Sequence, residues 1–145
     1  MISNAISRLS LNNDGRRALI AAGAYEAVAD ALRSAVSDGA KEMILNAISH
    51  ISINNDGLRA LIAAGAYEAV ADALRSAASD GAKVNISIDI MDLASSDDGR
   101  HRRLSALIAA GACDAVADAL RSAVSADAKA KISRTIYLLA SNEDA

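Results

Sequence analysis

Residues 12–41 read NNDGRRALIAAGAYEAVADALRSAVSDGAK, and residues 54–83 read NNDGLRALIAAGAYEAVADALRSAASDGAK. The two 30-residue stretches differ only at Arg16 against Leu58 and Val36 against Ala78, at an offset of 42 residues. A third copy, SALIAAGACDAVADALRSAVSADAK, occupies 105–129, with Gly111 lying 46 residues after Gly65. The four extra residues fall within Gly99 to Leu104. They amount to about one helical turn, so a longer first helix keeps nearly the same face inward. A period of this length restricts the chain to a repeat architecture. Each copy is one supersecondary unit that cannot bury its apolar faces alone, and stacked neighbours complete the core.

Three helices are predicted in each copy. The first spans about Asn13 to Ala22, with Asn and Asp as caps and Gly23 as the stop. The second runs from about Tyr25 to Ser34, with Val28, Ala31, Leu32 and Ala35 as its apolar stripe. Ser37-Asp38-Gly39 reads as the turn before the third, about Ala40 to Ser52, whose inward residues are Ile44, Ala47, Ile48 and Ile51. All eight glycines fall at such junctions: Gly15, Gly23, Gly39, Gly57, Gly65, Gly81, Gly99 and Gly111. Residues 2–11, ISNAISRLSL, align with 44–53, ILNAISHISI. The expected organisation is therefore one solenoid over 1–145. It comprises an orphan third helix at 1–11, repeats at 12–53 and 54–95, and a third repeat with the insertion at 96–145.

Composition narrows the function. The chain is 52% hydrophobic but 2% aromatic, with no Phe, Trp or Pro and 35 alanines. Such a core needs thin helices in close approach. A net charge of −3 and three tyrosines argue against a nucleic-acid partner, which would need a basic face or stacking rings. The single Cys113 forms no intrachain disulfide and fits a reducing compartment. No apolar run reaches a membrane span, and MISNAISRLS lacks the layout of a signal peptide. The expectation is an intracellular, cytoplasmic protein with no membrane partner. Arg100-His101-Arg102-Arg103 is the one basic run, read mainly as a solvated helix turn and secondarily as a weak nuclear address.

The segment Ile20-Ala21-Ala22-Gly23-Ala24-Tyr25, followed by Val28 and Leu32, resembles the armadillo repeat, as do its copies at Ile62 to Leu74 and Ile108 to Leu120. The fold class is thus expected to be all-α, a right-handed α-solenoid of three-helix armadillo-like repeats of about 42 residues. One departure is Glu26, Glu68 and Asp114 early in helix two, where the family often has proline. An acid there still complements the helix dipole. The near-identity of copies one and two fits a recent duplication or a designed array.

The resemblance implies a concave groove lined by third helices. In peptide-binding members an asparagine ladder there holds the partner's backbone, with tryptophans one turn earlier. In this chain the asparagine positions hold Arg8, His50, Asp92 and Leu138, and the tryptophan positions hold Asn4, Asn46, Ile88 and Arg134. The scaffold is nearly copied between repeats while these residues diverge. Asn4, Arg8, Asn46, His50, Asp92 and Arg134 are accordingly the candidate contacts to a protein or peptide partner.

Other chemistries find little support. His50 and Asp92 sit one repeat apart, a step of about 10 Å, and no nucleophile motif or phosphate loop accompanies them. Asn-Asp-Gly lacks the alternating oxygen ligands and final glutamate of a calcium loop. His50, His101 and Cys113 lack metal-site spacing. Cys113 replaces Tyr25 and Tyr67 and reads as a packing residue. A non-catalytic scaffold without cofactor or metal is expected. The alternative is a self-assembling or truncated structural module, a homo-oligomer joined at uncapped ends through Ile132, Ile136 and Leu139.

Overall fold

The computed structural model describes residues 8, 12–53, 55–95 and 100–143, without the side chains of 94–95, 100–104 and 139–143. Among the described residues the elements are helical throughout. The first triplet is α1 (Asn13–Ala21), α2 (Ala24–Ser34) and α3 (Asp38–Ile51). The second is α4 (Asn55–Ala63), α5 (Ala66–Arg75) and α6 (Asp80–Ser95). The third is α7 (Arg100–Ala109), α8 (Ala112–Ser122) and α9 (Ala126–Glu143). Of the expected orphan helix only Arg8 is described, and it is helical.

Local chemistry sets each boundary. Asn12 is extended at φ −125° and its Oδ1 accepts the Gly15 N–H at 2.6 Å, capping α1. Gly23 then takes φ +71°, and its N–H closes on the Ile20 carbonyl while it caps α2. Gly65 and Gly111 repeat this at φ +74° and +84°. A left-handed residue turns the chain between two helices in a single step, which glycine does without a Cβ penalty. The third helices start from serines: Ser37, Ser79 and Ser125 each accept the N–H three residues on, at 3.1 Å. Gly39, expected as a turn residue, lies instead inside the first turn of α3, because Ser37 caps from one step earlier.

Stacking is helix two on helix two and helix three on helix three. α5 packs between α2 and α8, and α6 between α3 and α9. Alanine makes the first contact possible: Ala66, Ala69, Ala71 and Ala73 of α5 are buried, interleaved with Tyr67, Val70 and Leu74. A helix buried on nearly every side needs small residues where neighbours approach. The expected stripe of α2 is corrected here. Val28 and Leu32 are buried with Tyr25 and Ala29, but Ala31 is exposed and Ala35 only half-buried. Ala73, the counterpart of Ala31, is buried because α2 lies against α5. In α3 the expected Ala47, Ile48 and Ile51 are buried and Ile44 is partly so.

Polar clasps recur at each repeat boundary. The Asp38 carboxylate accepts the backbone N–H groups of Ala78 and Ser79 at 3.1 and 3.0 Å. Asp80 does the same to Val124 and Ser125. Lys41 donates through Nζ to the carbonyl and Oγ of Ser76, and Lys83 to the Ser122 carbonyl. Arg33 donates to the Gly65 carbonyl at 3.0 Å, and Arg75 to that of Gly111 at 3.3 Å. In the third copy Ala126 stands where Asp38 and Asp80 stand in the first two.

Candidate binding groove

Because α3, α6 and α9 lie side by side, their outward residues form one surface. Asn46 and His50 on α3, Asp92 on α6 and Arg134 on α9 are all exposed. Ile88 and Leu138 are partly buried between them. Arg8 is helical and exposed, while Asn4 lies outside the described residues. The spacing of i and i+4 that aligned these positions in sequence also puts them on one helix face. His50 is oriented by its own helix, with Nδ1 against the Asn46 carbonyl at 2.8 Å.

Asp89 belongs to this surface and escaped the sequence reading. It is half-buried, and its carboxyl is pushed up to about 6, first by burial, then by Asp92 and then by Glu42. Glu42 reaches across from α3 and accepts from the Asn85 Nδ2 of α6 at 2.7 Å. The counterparts of Asp89 in the other copies are Ala47 and Thr135, both buried. A carboxyl at a frame position filled by small buried residues was the available signal. The surface from α3 to α9 thus carries three acids, Glu42, Asp89 and Asp92, with Arg134 on its α9 side.

The remaining candidates are placed as follows. Ile132 is fully buried and Ile136 packs partly buried against the core, both turned into the molecule where α9 meets α6 and α8. Ile132 therefore supplies no exposed end face. The side chain of Leu139 lies outside those described, as do those of Arg100 to Arg103. Cys113, expected to pack, is exposed. The Tyr67 ring at the equivalent site is 1% exposed and its hydroxyl donates to Ser52 Oγ at 2.8 Å, a slot that a short thiol does not span. Among the described residues no three His, Cys, Asp or Glu side chains gather to hold a metal ion, and no helix is long and apolar enough to cross a membrane.

No protein-family model matches the chain, and no curated protein matches it. Solved structures do. The chain is similar to a designed armadillo repeat protein in complex with the peptide (KR)4, at 26% identity and a TM-score of 0.64, covering 93% of this chain and 55% of that one. A second designed armadillo repeat protein is also 26% identical, with a TM-score of 0.59 over 95% of this chain and 58% of that one. Computationally designed armadillo repeat proteins for modular peptide recognition give 24% identity and a TM-score of 0.61, covering 97% and 56%. The chain thus spans a little over half the length of these proteins.

Proposed function

Taking as premise that the chain is an armadillo-like α-solenoid, we propose that it is a non-catalytic scaffold holding an extended protein or peptide segment along its third helices. On this reading 1–145 acts as one solenoid with repeats at 12–53, 54–95 and 96–145 behind the helix at 1–11. Asn4, Arg8, Asn46, His50, Asp92 and Arg134 supply the polar contacts. The observation that carries the proposal is the exposed, diverged polar row on a nearly copied apolar frame. The structural likeness to designed peptide-recognition solenoids supports it.

The charge order makes the reading more specific. A carboxyl already destabilised by burial and two neighbouring acids gains most from an incoming cation. The preferred segment carries Lys or Arg at its centre, over Glu42, Asp89 and Asp92, and avoids basic residues at its ends, which face Arg8 and Arg134. Fluorescence anisotropy tests this with one labelled peptide made in Arg-centred and Glu-centred forms. The Arg-centred form binds more tightly, with affinity falling as salt rises. Replacing Arg8, His50, Asp92 and Arg134 together with Ala removes binding and leaves the helical circular-dichroism signal intact. Equal affinity of the two peptides, or of the fourfold variant and the parent, defeats the proposal.

A further inference from the structure

Away from the third helices, α1 and α4 leave a cleft of about 500 Å³ between them. Arg16, Arg17 and Arg59 line it, with Asp56 as the one carboxylate. Ile20 and Ala60 form an apolar wall. Ile20 is 50% exposed, a large open share for an isoleucine. The cleft therefore holds two net positive charges in a chain whose overall charge is −3.

Arg16 is the informative residue. It is one of only two differences between the stretches 12–41 and 54–83, and its counterparts are Leu58 and Leu104. Leu58 is fully buried, so this position is part of the repeat's apolar frame. Arg16 is only 8% exposed, yet it carries a permanent charge at that position. Its Nη2 donates to Asn13 Oδ1, which also lines the cleft, so the guanidinium is held at the wall. Arg17 and Arg59 occupy the same register in successive repeats and face the cleft from its two sides. A buried cation beside two more, in a space of ligand size, is an arrangement that an anion stabilises.

We infer that the cleft between α1 and α4 is an oxyanion site for a phosphate monoester carried on a small apolar body. Planar guanidinium forks pair bidentately with phosphate oxygens, and a dianion matches the two net charges. The wall of Ile20 and Ala60 takes the apolar part. A long polyanion fits poorly, since the chain as a whole is acidic.

Isothermal titration with phenyl phosphate, inorganic phosphate and benzoate tests the site, with melting temperature as a second readout. Phenyl phosphate binds best, inorganic phosphate more weakly and benzoate weakest. Arg16→Leu restores the residue that the second copy uses, so it folds and melts at or above the parent temperature without ligand. It also loses phenyl phosphate affinity by roughly 10- to 100-fold, the scale of one charge-assisted contact. Arg59→Gln, at an exposed position, shows the same loss and covers the case in which the first variant misfolds. Full affinity in both variants, benzoate equal to phenyl phosphate, stronger displacement by a single-stranded oligonucleotide, or no binding at millimolar ligand overturns the inference.

Discussion

The Asp38 carboxylate accepts the backbone N–H of Ala78 across the repeat boundary at 3.1 Å, forty residues along the chain. The same carboxylate accepts from Ser79, the residue that caps the next third helix. One side chain thereby ties the start of α3 to the start of α6. The relation recurs from Asp80 to Val124 and Ser125.

Asp38→Ala should therefore lower stability by about 1 kcal/mol in urea unfolding, because two backbone donors lose their acceptor but stay near water. The Ala78 N–H, then Ser79, hold the Asp38 carboxyl below its ordinary 3.8 against the opposing effect of burial. Its contribution is full above the unfolded value and is lost as pH falls through the folded one. The parent and variant stabilities should thus converge only below about pH 4. A constant difference from pH 7 to pH 2.5 would show that the carboxylate is not the agent.

Gly39 and Gly65 should respond oppositely to alanine. A Cβ on Gly39 meets nothing within 4 Å, and the residue is helical, so Gly39→Ala stabilises by roughly 0.5–1 kcal/mol. At Gly65, φ is +74° and a Cβ would come within 2.7 Å of Arg33 Nη2. Gly65→Ala costs about 1–3 kcal/mol in backbone strain, and displaces the Arg33 bond to the Gly65 carbonyl as well. Paired thermal melts decide, and a stabilised Gly65→Ala would remove the left-handed junction from the account.

Asp89 should make the protein less stable as pH rises. Its folded value near 6 exceeds the ordinary 3.8, so the native state holds the proton more tightly. That contribution is full below the unfolded value and is lost as pH climbs through about 6. Asp89→Asn should raise the melting temperature at pH 7.5 by a few degrees, with the gain shrinking to nothing near pH 4. Comparing parent and variant at each pH cancels the opposite trend of Asp38 and Asp80. A gain independent of pH would assign the effect to packing.

Ser87 sits where the first copy has Leu45, and its buried Oγ finds no hydrogen-bond partner. Ser87→Ala should stabilise by about 1 kcal/mol, since the cost of burying an unsatisfied hydroxyl disappears. Chemical denaturation checks it. A loss of stability would mean that the hydroxyl is satisfied in solution.

The amino-acid order alone determined the period, the three helices per copy and their caps. Those depend on contacts within a few residues, such as Asn12 to Gly15 and Ser37 to Ala40, and on the inability of Gly23 and its copies to prolong a helix. It also determined that Asn46, His50, Asp92 and Arg134 share an outward surface, because helical spacing orients them and α3, α6 and α9 stack in register. Tertiary structure decided the rest. Whether an alanine is core or surface depends on which neighbour lies against it, which separates buried Ala73 from exposed Ala31. The partial burial of Asp89, the clasps of Asp38 and Lys41 and the meeting of Arg16 with Arg59 join residues about 40 positions apart. Local spacing carries no information about such distances; the stacking of one repeat on the next does.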